Sequence, residues 1–257
     1  MGLDVYVGSL TRYYAQDWET IVQQWGREQG LPVEVRRSQP SPPDRITDPA
    51  VIRPAMIKWR SNLNEALSSR LGVELDWEEA PDAPYFTDKP GWDGYGGLVL
   101  LAAHEENPQL KPPKRVSLDS WKQDQALRVS STKGFPTRYE HVIVPQWWLP
   151  CAFKQVFKGP TATGAEVWFG SSIRLLDQLR ALNERTYRGT AADLNVWRSQ
   201  QPDGAEGPFE VEAKVGLSVF LSLAERSATA RLPMLLDYWV SSTPRHAITE
   251  SASASSS

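Results

Sequence analysis

The side chains best suited to acid–base or nucleophilic chemistry are few: His104, His141, His246 and the single cysteine, Cys151. A zinc site needs three or four nitrogen, sulfur or oxygen ligands at spacings that let them converge. Neither H-x-H nor H-E-x-x-H occurs, and one thiol excludes a cysteine-rich site. His104-Glu105-Glu106 is contiguous, so on a helix its side chains point in different directions and read as a helix-end histidine beside solvated acids. Cys151 and His141 would make a thiol–imidazole pair if neighbouring strands joined them. Cys151 lies between Trp148-Leu149-Pro150 and Ala152-Phe153, however, and a cysteine among apolar residues is expected to be a small core residue. No G-x-S-x-G elbow is present. Gly94-Tyr95-Gly96-Gly97 lacks the G-x-G-x-x-G spacing and the lysine and hydroxyl of a phosphate loop. It keeps only the general capacity of a helix N-terminus to hold an anion. No catalytic motif, metal or cofactor is expected.

Two other clusters have the composition of a binding surface. Arg12-Tyr13-Tyr14 follows the first strand, where loops gather binding residues. Arginine supplies a fixed cation and tyrosine a flat amphipathic face, as at interface hot spots. Trp92-Asp93-Gly94-Tyr95 repeats this chemistry at a loop–helix junction. Glycines there cost about 1 kcal/mol each against alanine in a helix, so something must approach closely. One reading brings Arg12, Tyr13, Tyr14, Trp92, Asp93 and Tyr95 together as a ligand- or partner-binding site, with Arg12 complementing Asp93 or an anionic group. In the other, the glycines let a second helix pack tightly.

The elements that must position these residues follow from periodicity. Leu3, Val5 and Val7 alternate with polar neighbours, the pattern of a half-buried strand. Trp18, Ile21, Val22 and Trp25 share one helical face in a helix expected over Asp17 to Gly30. Val33 to Val35 suggests a short strand, and Ser38 to Pro49 a proline-rich loop. Asp48 and Pro49 suit a cap and first turn for a helix ending at Gly72, with Pro54 shifting its firm start toward Ala55. Asp93 is expected to cap a buried helix through His104. A helix over Ser117 to Val129 and strands at His141 to Val144 and Glu166 to Phe169 follow. Gly159, Pro160 and Gly164 suit a hairpin-like connection. Ser171 or Ser172 caps a helix from Ile173 to Arg185, and further helices span Ala191 to Arg198 and Glu210 to Ala230. In an extended segment Trp147 and Trp148 point oppositely, so one must be exposed or meet another element.

Helices outnumber strands without strict alternation. This predicts an α+β fold, with a small mixed sheet packed by several amphipathic helices. One globular domain over residues 1–249 and a disordered Ser/Ala tail over 250–257 are expected. A net charge of −3 gives no electrostatic footprint for nucleic acid. The short basic groups Arg36-Arg37 and Lys111 with Lys114-Arg115 read as solvated loops. The apolar run Leu98 to Ala103 is too short to span a bilayer, and the N-terminus lacks a signal-peptide pattern. A cytoplasmic protein follows as the expectation. Its expected partner is a protein, with an immunity-type protein that neutralises a toxin domain as the specific case. The competing expectation is an enzyme or small-molecule binder with a pocket near the end of the first strand.

Overall fold

The computed structural model describes residues 2–31, 46–117, 120–132, 137–200 and 207–238. Val33 to Val35, Arg36-Arg37, most of the proline-rich loop, His246 and the 250–257 tail lie outside the described residues. Within them the chain runs β1 (Asp4–Val7), α1 (Leu10–Ala15), α2 (Ile21–Glu28), α3 (Pro49–Leu71), β2 (Phe86–Asp88), α4 (Gly91–Glu106) and β3 (Arg115–Val116). A 3-10 turn (Trp121–Gln123), α5 (Gln125–Ser130), α6 (Glu140–Ile143), β4 (Trp147–Leu149), β5 (Phe157–Pro160) and β6 (Glu166–Ser171) follow. The remainder is α7 (Ser172–Arg185), α8 (Ala191–Arg198), β7 (Gly207–Pro208), α9 (Phe209–Ala230) and β8 (Met234–Asp237).

The fold is α+β. One mixed sheet has the order β2-β1-β8-β4-β6-β5, in which β4 and β6 are parallel and the other neighbours antiparallel. Helices cover both faces, so β1 is buried on both sides rather than one. Val5 and Val7 join the core beneath α4, α7 and α9, while Tyr6 turns into a second core beneath α1 and α3. This also resolves the tryptophan pair. Trp148 enters the first core and Trp147 the second, and both are buried.

The close approach that the glycines of α4 require comes from α9. A Cβ on Gly97 would stand 2.6 Å from the Ala213 nitrogen, and one on Gly216 would press into the Gly94 carbonyl oxygen. The two backbones touch at a crossing where only hydrogen fits, and the area buried there offsets the helix cost of glycine.

Several local expectations need correction. Residues 17–20 are not helical. Gln16 ends α1 in the left-handed region at φ 59, and Thr20 starts α2 with a capping box. The face carrying Val22 and Trp25 points outward, 43% and 55% exposed, because α2 is tethered through the Gln24 amide, which donates to Thr87 Oγ1 at 3.1 Å. Helix α3 starts at Pro49 and runs through Pro54. Asp93 lies within the first turn of α4, which begins at Gly91, rather than at its cap. Ser117 to Val129 divides into the 3-10 turn and α5, because the Asp124 carboxylate accepts from Ala126 N at 2.8 Å and starts a new helix. His141 to Ile143 forms the helical turn α6, wedged against α4 and α7, rather than a strand. No helix among the described residues is long and apolar enough to cross a membrane.

Candidate functional site

A dense polar arrangement lies just past the end of β1. Ser9 caps α1 by accepting from Arg12 N at 3.2 Å. Glu79, 3% exposed, completes that cap from a distant loop. Its carboxylate accepts from Leu10 N (3.3 Å), Thr11 N (2.8 Å), Thr11 Oγ1 (2.8 Å) and Trp77 Nε1 (2.6 Å). Four donors and the positive end of α1 replace the water that a buried carboxylate loses.

Glu79 thereby anchors one wall of a cleft of about 370 Å³, lined by Arg53 and Arg60 of α3, Asp76, Trp77, Glu78 and Arg231. Arg60 and Arg231 each reach Asp76 at 3.0 Å. Arg60 also lies over the Trp77 ring at 5.5 Å and donates to the Trp77 carbonyl. Arg53 donates through Nε to the Glu79 carbonyl at 3.2 Å and pairs with no carboxylate among the described residues. Glu78 is committed to the Ala80 N–H at 2.7 Å. Three guanidinium groups therefore share one concavity in which Asp76 balances two of them. The Glu78 and Glu79 carboxylates of the lining are held by the Ala80 and Thr11 N–H groups, and Arg53, whose Nε is used, keeps its terminal nitrogens for an anion.

The expected site residues form two groups on opposite faces of the sheet. Arg12 donates to the Ala83 carbonyl at 2.5 Å, covers the Tyr85 ring at 5.1 Å and pairs with Asp17 at 3.3 Å. Tyr13 donates to Asp237 Oδ1 at 2.7 Å and packs on Trp18 and Trp147, with Tyr14 edge-on to it at 5.3 Å. This group sits beside Tyr6. On the other face Trp92 meets Tyr238 at 5.1 Å, and Tyr95, buried, packs on Phe220 and Trp121. Asp93 stands near Glu212 and raises its pKa. The sheet separates α1 from α4, so Arg12 does not complement Asp93. Position at an element junction carries no information about which face a helix will cover. Sequence reasoning also missed Glu79 and the three cleft arginines, which have no local signature.

The two histidines among the described residues, His104 and His141, and the thiol are occupied. His141, 1% exposed, donates from Nε2 to the Lys154 carbonyl at 3.0 Å and accepts at Nδ1 from Ser171 N at 2.9 Å. Burial, with the charge of Arg174, lowers its pKa and keeps it neutral. His104 meets Asp124 at 3.2 Å. Cys151 points at the Asp76 carbonyl at 3.4 Å, and burial pushes its thiol pKa up. No group of three metal-ligating side chains converges among the described residues.

Glu212, buried at the start of α9, is pushed up to about 7, first by burial and then by Asp93. Its folded pKa exceeds its ordinary value of 4.5. The stability it confers is therefore complete below that value and lost as pH rises through about 7, on the order of 2 kcal/mol. His141 acts in the opposite sense, because its lowered pKa costs stability in acid. The measurement that isolates Glu212 is the difference between wild type and Glu212→Gln. Burial also raises Asp4, to about 6, so both proteins should lose some stability between pH 5 and pH 8; the loss should be larger in wild type, and equal pH profiles would refute the assignment.

Comparison with protein families, with curated proteins and with solved structures finds no match for this chain.

Proposed function

We propose that the protein is a binding protein of the immunity type, which recognises a partner protein and takes one of its carboxylates into the cleft of Arg53, Arg60 and Arg231. The observation that carries this reading is the convergence of three guanidinium groups on one concavity, with Asp76 and the Trp77 ring holding two of them in place. A preorganised guanidinium binds carboxylate through paired hydrogen bonds at a low entropic cost. Val22 and Trp25 on α2, which is tethered to β2, expose further apolar surface of the kind a protein partner covers. A toxin domain is the specific partner this reading names.

A second reading, a small-molecule site, draws support from the same cleft. It lies past the end of the first strand, and its volume falls in the range of ligand pockets. Calorimetric titration at constant ionic strength with a glutamate-rich peptide and with citrate separates the two. Arg53 is exposed and makes one hydrogen bond, to the Glu79 carbonyl, so Arg53→Glu should lower the melting temperature by no more than a few degrees. It should weaken peptide binding about tenfold or more, the scale of one charge-assisted pair. Saturable binding of citrate alone would support the small-molecule reading. An unaltered affinity in Arg53→Glu, or no binding of either probe, would sink the cleft as a recognition site.

A further inference from the structure

We propose that a second hollow, of about 200 Å³ and lined by His141 of α6, Lys154, and Arg174 and Gln178 of α7, is a binding site for a phosphate-type oxyanion. It shares no lining residue with the arginine cleft.

The lining presents donors and almost no acceptors. Gln178 Oε1 accepts from His141 N at 2.9 Å, which leaves its NH2 group to donate. The Arg174 Nε–H is buried without a partner, and its Nη1 reaches a carboxylate, Asp177, only at 3.8 Å. The Lys154 carbonyl is used by His141, while its ammonium pairs with no carboxylate among the described residues. His141 has both ring nitrogens committed and acts as a neutral wall. Glu140, the carboxylate next in sequence, accepts from the Val156 backbone and does not neutralise the hollow.

A buried N–H without an acceptor costs folding free energy, so Arg174 Nε has something to gain from a ligand. A set of guanidinium, ammonium and amide donors calls for a partner with acceptors alone. The volume admits a phosphate group. The start of α7, whose cap is Ser171, adds a favourable dipole.

Calorimetry with inorganic phosphate and with acetate at matched ionic strength tests the site. Phosphate should saturate below about 10 mM. Arg174→Gln should weaken it about tenfold, Lys154→Gln severalfold, and Arg53→Glu not at all. Acetate should bind more weakly than phosphate, because it fills fewer donors. The proposal fails if phosphate does not saturate, if acetate binds equally well, if both hollow variants match wild type, or if Arg53→Glu alone removes binding. Should Arg174→Gln fail to fold, Lys154→Gln decides, since that side chain is exposed and unpaired.

Discussion

Gly216→Val is expected to destabilise the protein by about 3 kcal/mol or more, lowering the melting temperature by roughly 6–12 °C for a chain of this length. Even the first carbon of the new side chain would press into the Gly94 carbonyl, and would stand 2.9 Å from the Leu98 Cβ. None of these neighbours is the far end of a flexible side chain. Relief therefore requires α4 and α9 to separate, which opens gaps along the most extensive helix–helix contact of the fold. Gly97, facing Ala213 across the same crossing, should behave likewise when replaced by valine. Thermal and chemical denaturation followed by circular dichroism measure both. A melting temperature within two degrees of wild type for Gly216→Val would show that the helices do not meet there.

Val5→Asp should be at least as costly, about 4 kcal/mol or more, because it places a carboxylate at a position with no exposed surface. Its register partners are Asp88 on β2 and Leu236 on β8, and its face of the sheet looks into the apolar core beneath α4 and α9. Arg198, which reaches the register partner Asp88, is already paired with that carboxylate. Val5→Ala separates the two sources of loss. It removes buried carbon without adding charge and should cost only about 2 kcal/mol. Comparable stability for the two variants would mean that the aspartate escapes to water, and β1 would then be less enclosed than its register implies.

The positions of elements were largely legible wherever the deciding residues lie within one turn of each other. Asp48 accepts from Ala50 N at 2.8 Å and Pro49 occupies the first turn of α3, while Gly72 ends that helix at φ 68. Ser171 caps α7 through Arg174 N, Ala191–Arg198 forms α8 as expected, and the glycine-containing segment before Glu166 turns between β5 and β6. Each is a local contest between backbone conformations that side-chain chemistry settles in place. The alternation of Leu3, Val5 and Val7 likewise reported one real buried face.

What the sequence could not settle is which distant surface each element would meet. The apolar face of α2 has a helical period, yet the tertiary structure turns Val22 and Trp25 to the exterior. The run at His141 to Ile143 looks like a strand, yet its burial between α4 and α7 makes it a helical turn. Tyr6 reads as the open face of β1 until α1 and α3 cover it. The candidate site depends most on such encounters. Glu79 caps a helix 68 positions earlier in the chain, and Arg231 joins Arg60 at Asp76 from the far end of α9. By itself the sequence determined the caps of α3 and α7, the stop at Gly72 and the buried face of Leu3, Val5 and Val7, because those are set by neighbours along the chain. Only the tertiary structure decided which face of the sheet each stripe covers and which arginines share a cleft, because those depend on groups that meet only when the whole sheet has formed.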